Sequence, residues 1–504
     1  MLKRVFVVAS YAGLALGLSA GLVSCQSGAL CTLDGDITEW SSSAAAAADA
    51  DHVYLRFKVT DGTEAIQAGS KTVVLYIDAD SNATTGRAGT ADPLTAMGVD
   101  LEIHFSPRDK ATGKPGKGVA AYAVGGDGSM NHLANIDTGL TFAPTYASDW
   151  YEARIDRGLF SKAGVDTSSA KLTGVFATLS EAGEIDAAAD RFEVTLPAAR
   201  EGARPVVDVP GRMADTIRVV TYNVQKSKPV QSPDSFARVL DKLDPDVIVL
   251  EEWDQGDAAS VEEWFRAHWG SPTPWHVHKT SGTGVLIASK FPLSPLPPDT
   301  LELTQGKEKP SRIRFASAIV DTPAGALMVT GVHLKCCGGA SGPEEQTRQA
   351  EAKALNMALG QFAAGATVSR VVVGDLNLVG SRVPLDLLRA GLDSDGTDLG
   401  VVAPRVLGDS THTTWVDWST EFTPARLDWV LFGRTGAKVA QSFVLDTSLL
   451  SAESLARMGL DKGDTSASDH MPVVVDFVLT PAAPKAAEPE PAKVDAPEAG
   501  EMGK

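Results

Sequence analysis

The stretch Val371-Val372-Val373-Gly374-Asp375-Leu376-Asn377 constrains this chain most. A short β-branched run reads as a buried strand. Gly374 is expected to end that strand and let the backbone turn. An acid and an amide then follow two positions apart, with apolar Leu376 between them. Strand alternation carried that far places Asp375 and Asn377 on one side and Leu376 on the other. A carboxylate and a carboxamide aimed at one point can hold a water, a metal ion and a phosphoryl oxygen. A strand that simply ends in turn residues explains the heptapeptide equally well. The rest of the chain decides between the two.

Residues 216–479 mix strands and helices around that stretch. Ile217 to Val224 and Val247 to Leu250 read as strands. Between them Ser232-Pro233 supplies an N-cap and a first-turn proline for a helix to about Leu243. Asp257 to Trp269 reads as helical. Strands follow at Trp275–Lys279, Gly284–Ser289, Arg312–Asp321 and Leu327–Leu334. A long helix from Pro343 to about Phe362 leads into the opening strand. Further strands fit Leu427–Phe432, Lys438–Leu445 and Pro472–Leu479. Many strands with a few long helices predict a two-layered α/β sandwich.

Residues 30–197 read as mostly β. His52 to Val59 alternates, with Val53, Leu55, Phe57 and Val59 on one face and His52, Tyr54, Arg56 and Lys58 on the other. Short strands with Gly/Asp-rich turns predict an all-β sandwich. Asp78, Asp80 and Asn82 alternate as oxygen ligands to Ca²⁺ would, although Ala83 stands where an EF-hand-like loop would want Gly; a solvated turn rich in Asp and Asn is the competing reading. Trp40 is expected in the core. Residues 198–215 read as a Pro/Gly-containing linker, and residues 480–504 as a disordered Pro/Ala/Glu tail.

The N-terminus carries Lys3 and Arg4, then an apolar run from Val5 to Val23. That is the plan of an export signal, residues 1–24, with a plain membrane anchor as the alternative. The end, Leu22-Val23-Ser24-Cys25, resembles the lipobox of bacterial lipoproteins. The resemblance implies cleavage before Cys25, its lipidation, and a chain exported and anchored to the bacterial cell envelope. Only four cysteines occur, so this is no disulfide scaffold. Cys31, six residues after Cys25, is a candidate free thiol. Cys336-Cys337 are either a vicinal disulfide or two small residues beside a glycine turn.

The first sandwich resembles the family 9 carbohydrate-binding modules through Leu33-Asp34-Gly35-Asp36-Ile37-Thr38-Glu39-Trp40, Leu75-Tyr76-Ile77-Asp78-Ala79-Asp80, Thr85-Gly86 and Gly98-Val99-Asp100-Leu101-Glu102. This implies a jelly-roll-like sandwich that binds polysaccharide, in some members with Ca²⁺. No obvious pair of tryptophans forms a sugar platform.

Polar residues sit at the predicted strand ends of the second half: Asn223, Glu252, His333, Asp375, Asn377, Asp428 and Asp469-His470. Each alone is weak, but the set in this order resembles the endonuclease/exonuclease/phosphatase superfamily. The resemblance implies a four-layer α/β/β/α sandwich and metal-dependent hydrolysis of phosphate esters. By that match Glu252, Asn223 and Asp469 hold Mg²⁺ or Mn²⁺. Asp375 orients or deprotonates the attacking water, and Asn377 contacts the phosphate. His470, its tautomer fixed by Asp428, contacts phosphoryl oxygens or moves a proton; His333 binds phosphate or protonates the leaving oxygen. Glu251 stands where the family usually has Gln, and either raises a neighbour's pKa or points to solvent. Arg348, Arg312 and Arg314 are further substrate contacts to weigh against solvated arginines.

Net charge is -19, and residues 216–478 hold 24 Lys and Arg against 32 Asp and Glu. That balance disfavours a broad electrostatic grip on nucleic acid or anionic membranes. The expected substrate is a nucleic acid, a phospholipid headgroup or a small phosphate ester, handled by a monomer. The alternative is a surface lipoprotein that mainly binds polysaccharide, with an accessory or inactive phosphoesterase domain.

Overall fold

A computed structural model describes residues 31–480, apart from 41–43, 59–60, 110, 166–170, 201–203, 271–272, 305–309 and 363–367. The export signal, Cys25 and the tail beyond Thr480 lie outside the described residues. No helix among those described is long and apolar enough to cross a membrane.

The first half is built from two antiparallel sheets. One runs in the order Ala46–Ala48, His52–Phe57, Tyr151–Asp156, Thr141–Ala143. The other is seven-stranded and centres on Lys171–Leu179, Val73–Asp78 and Leu101–Phe105. The alternation at 52–57 works as its pattern requires. Val53, Leu55 and Phe57 enter the core between the sheets, where Phe57 stacks on Phe176 at 3.9 Å between ring centres. Tyr54, on the other face, is also buried, because Cys31, Leu33 and Trp40 cover it. Trp40 donates its indole N–H to Glu152 at 2.6 Å. Cys31 is not a free thiol; none occurs among the described residues.

The second half holds two mixed sheets, of seven and six strands. The first runs His276–Lys279, Leu286–Ser289, Val247–Glu251, Ile217–Asn223, Val473–Leu479, Ala437–Val444, Arg405–Val406. The second runs Leu293–Pro295, Arg314–Thr322, Gly325–His333, Ser369–Asp375, Asp428–Phe432, Gly400–Val401. The valine-rich strands are apolar on both faces because both faces are covered. Val219, Val249, Val329, Val371, Val373 and Val475 meet in one core shared by the sheets. Outward residues of the first sheet pack with Phe236, Leu240, Trp264 and Leu455 of helices. Those of the second pack with Leu355, Leu359, Leu385 and Leu388 of the helices Pro343–Gly360 and Val383–Arg389.

Several local expectations change. Ser232 stands at the N-cap of Pro233–Leu243, but its side chain makes no capping bond. The helix begun at Asp257 becomes a π-helix over Phe265–Trp269, where Phe265, Trp269 and Trp275 pack together. The short strands Gly400–Val401 and Arg405–Val406 carry too few residues to show periodicity. Within the 198–215 stretch, the Val207 N–H donates to Ser454 Oγ at 2.9 Å, Val209 is buried, and Pro210 O accepts from Arg218. This part of the predicted linker lies against the second half.

The two halves are tied by the loops of the second. Leu33 N–H donates to Ser410 O at 3.0 Å, Arg154 pairs with Asp409, and the Tyr54 hydroxyl meets Ser410 Oγ at 3.3 Å. Val119 N–H donates to Glu421 O at 2.7 Å, and Thr423 N–H to Gln67 Oε1 at 3.1 Å. Both contacts hold the segment that leads to Asp428.

Candidate active site

Strand register builds the site. In the second sheet His333 lies opposite Asp375, and Asp375 opposite Asp428, on three adjacent strands. In the first sheet Asn223 pairs with Glu251. The shared core brings these ends together. Asn223 Nδ2 reaches Asp375 Oδ2 at 3.2 Å and Glu252 Oε1 at 3.3 Å. His333 Nε2 lies 3.5 Å from Asp375 Oδ2 and 3.9 Å from Glu252 Oε1. His470 Nδ1 sits 2.7 Å from Asp428 Oδ2, and its Nε2 lies 3.8 Å from Asp375 Oδ2.

Gly374 does not end its strand, which runs to Asp375. The glycine is needed for close approach: a Cβ there would stand 2.1 Å from Val332 O and 2.7 Å from Glu251 Oε1. Its φ of +134° also disfavours a side chain. Alternation fails at Asn377, which adopts φ +50°. Its carboxamide turns away to donate to Leu334 O at 3.2 Å, while its backbone N–H donates to Asp375 Oδ1 at 2.9 Å. Asn377 therefore orients Asp375 rather than sharing its target. Glu252 has φ +60°, which turns its carboxylate out of the strand toward the site; the side chain is about 25% exposed.

The electrostatics separate the two histidines. Burial pushes His333 well below its ordinary range, with Arg314 and His470 adding repulsion, so it is neutral at neutral pH. Burial also works against a charge on His470, but Asp428, by charge and hydrogen bond, outweighs it and lifts the imidazole to about 10. Burial raises Asp375 to about 7, opposed by His470. Glu251 does not point to solvent. It is fully buried, accepts from the Thr221 hydroxyl at 2.8 Å, and is raised well above its usual range by burial and by Asp428. Its Oε2 has no partner.

Asp469 Oδ2 accepts the indole N–H of Trp415 at 3.1 Å. Two further contributors are not among the residues singled out from the sequence. Ser468 donates to Asn223 O at 2.8 Å and accepts the His470 N–H at 3.2 Å, fastening the His470 loop to the end of the Ile217–Asn223 strand. Thr414 accepts the Asp428 N–H at 2.9 Å and, through its carbonyl, the Met471 N–H. The Ser two residues before His470 was a visible local hydrogen-bonding pattern; Thr414 lies in a loop with none.

Residues 220–470 match the model of the Endonuclease/Exonuclease/phosphatase family. This part of the chain is an endonuclease/exonuclease/phosphatase domain. It is a hydrolase of phosphoric ester bonds of the metal-dependent type. Solved structures similar to it include an endonuclease/exonuclease/phosphatase family protein from Leptotrichia buccalis C-1013-b, at 15% identity over 52% of this chain and 99% of that one, TM-score 0.36. Another is sphingomyelinase C from Streptomyces griseocarneus, at 18% identity over 52% and 99%, TM-score 0.34. A third is a 3′ phosphatase from Neisseria bound to product DNA hairpin, at 20% identity over 52% and 99%, TM-score 0.35. No curated protein matches the chain.

The domain's donor set suits a hard divalent cation. The carboxylate of Glu252 and the amide of Asn223 converge, and the buried acids Glu251, Asp375 and Asp428 face one cationic histidine. Asn223 Oδ1 accepts the Gln225 N–H at 3.0 Å and keeps a second lone pair to offer.

Other residues flagged by sequence find structural partners. Arg348 is fully buried; it pairs with Glu345 at 2.7 Å and binds the Lys335 and Cys337 carbonyls, so it pins the turn after His333 rather than touching substrate. Cys336 and Cys337 in that turn are joined as a vicinal disulfide. Arg314 donates to Leu334 O at 2.6 Å, and Arg312 to Ser281 O at 3.1 Å. In the first half, Asp78 and Asp80 approach Asp100 and accept the Asn82 backbone N–H at 3.2 and 2.9 Å; Asn82 Oδ1 instead accepts from Thr84 at 3.1 Å and 2.7 Å. Burial and the neighbouring acids hold Asp100 up at about 6.

Proposed function

We propose that residues 216–479 are the catalytic unit of an exported phosphoesterase that cleaves phosphodiester or phosphomonoester bonds by in-line attack of water. On this reading the two facing sheets and their outer helices form a four-layer α/β/β/α sandwich, and residues 30–197 a jelly-roll-like module. The observation that carries the proposal is the three-strand register of His333, Asp375 and Asp428, with His470 closing it from the other sheet.

Mg²⁺ or Mn²⁺ would be held by Glu252 and Asn223, with Asp469 nearby, and when bound supplies positive charge to the phosphate. Asp375 aligns the attacking water and accepts its proton, a task suited to a carboxylate raised by burial. The Asn377 N–H fixes Asp375 Oδ1 and leaves Oδ2 toward the site. His470 stays cationic because Asp428 accepts from Nδ1, so its Nε2–H is available to phosphoryl oxygens where charge develops. Neutral His333 offers a hydrogen bond to the phosphate but no proton at neutral pH.

Nucleic acid, a phospholipid headgroup and a small phosphate ester remain the substrate classes. Purified residues 26–504 assayed on DNA, RNA, sphingomyelin, inositol phosphates and bis-p-nitrophenyl phosphate test this. Turnover of at least one ester that EDTA abolishes and Mg²⁺ or Mn²⁺ restores is the expected result. No turnover of any of them with either metal would sink the proposal.

A further inference from the structure

A sizeable cavity lies between the two halves of the chain. It encloses about 720 Å³, within the range of small-molecule sites. Its sandwich wall includes Ile136, Thr141 and Asp156; its opposite wall includes Trp418, Ser448 and Lys462. It runs up to Ser468 and Asp469, next to His470, and to Gln225, two residues after Asn223. The cavity therefore opens beside the phosphate end of the site, and a substrate held there by its phosphorus would extend between the halves.

We propose that this cavity binds the non-reacting limb of the substrate, and that the limb is a neutral polyhydroxylated group such as a sugar. The inference rests on the phosphoesterase reading for its phosphate end. Eight of the 24 lining residues are Ser or Thr, which both donate and accept hydrogen bonds as sugar hydroxyls do. Asp156, Asp417, Asp446 and Asp469 are set against Arg154, Arg204 and Lys462. A second anionic group would meet the four carboxylates, and a quaternary ammonium the three cations. Hydroxyls satisfy both, donating to the carboxylates and accepting from the cations. Trp418, an exposed aromatic on the loop braced by the sandwich, supplies an apolar face for the C–H side of a sugar ring. The first half thus becomes a specificity wall of the catalytic site.

The test uses the full chain and three diesters with one leaving group: bis-p-nitrophenyl phosphate, the p-nitrophenyl diester of glucose 1-phosphate, and p-nitrophenyl phosphocholine. Trp418→Ala removes the face, and Ile136→Trp fills the cavity from the sandwich side; both residues are exposed, so both variants should fold. The glucosyl diester should give the highest kcat/KM. Each variant should lower that value on the order of tenfold and change bis-p-nitrophenyl phosphate by less than about twofold. A preference for the choline ester, or variants that shift all three substrates alike or none, would overturn the inference. Calorimetric binding of the glucosyl diester in EDTA separates the two claims. Binding that Trp418→Ala weakens, without turnover of any diester, supports the cavity and overturns the phosphoesterase reading alone; no binding overturns the cavity.

Discussion

Asp375 is costly to ionise where it stands. Its folded pKa of about 7 lies above the ordinary 3.8. The folded protein therefore binds more protons than the unfolded chain across that window. Stability from this group is fully present below about pH 4 and is lost as pH rises through 7. Asp375→Asn should accordingly raise the melting temperature of the metal-free protein at pH 8, by the equivalent of about 1 kcal/mol or more, and give no gain at pH 4. Thermal melts in EDTA at the two pH values check this; an equal effect at both would remove titration as the cause. Gly374 poses a steric demand instead. Gly374→Ala forces a methyl against Val332 O and Glu251, so a loss of roughly 2–4 kcal/mol is expected from urea melts. The residue scale is also where sequence reading failed most. Strand alternation could not show that Asn377 would turn left-handed, nor that Glu251 would be buried, because both follow from the approach of a second sheet.

At the scale of elements, period and punctuation made most strands legible. Val247–Glu251, Ile217–Asn223 and Val473–Leu479 are valine-rich because both faces are covered, and that signal is local. The register that aligns His333, Asp375 and Asp428 is not local, and their meeting was visible only through the order of polar strand ends. The segment 409–425 was not legible at all. It has no regular period, yet Trp415 bridges to His470 and binds Asp469. Trp415→Phe should keep the fold and lower phosphodiester kcat more than it raises KM, since it frees a positioning contact; steady-state kinetics with metal saturating would show this. A stability element lies on the opposite end of the same sheet. Arg218 and Asp476 face each other across adjacent strands, fully buried and bidentate at 2.7 and 3.0 Å. Asp476→Ala strands a buried cation and should cost about 3–5 kcal/mol in chemical denaturation.

For the whole molecule, the first half is no detached appendage of the endonuclease/exonuclease/phosphatase domain. It holds the segment that carries Trp415 and lines the cavity beside Asp469. Export and anchoring belong to this scale too, as a proposal resting on Leu22-Val23-Ser24-Cys25: Cys25→Ala should abolish lipid labelling and release the protein from membranes, and unchanged detergent partitioning would contradict it. The central claim is that Glu252, Asp375 and the Asp428–His470 pair hydrolyse a phosphate ester together. Its most direct test is phosphodiester turnover by Glu252→Gln, Asp375→Asn, Asp428→Asn and His470→Ala with Mg²⁺ and Mn²⁺ titrated. Glu252→Gln should recover in part at high metal. Asp375→Asn and His470→Ala should lose on the order of 10²-fold or more at every metal concentration, with Asp428→Asn a milder form of the His470 loss. Wild-type rates for both Asp375→Asn and His470→Ala, on a substrate that the wild type hydrolyses, would contradict the account.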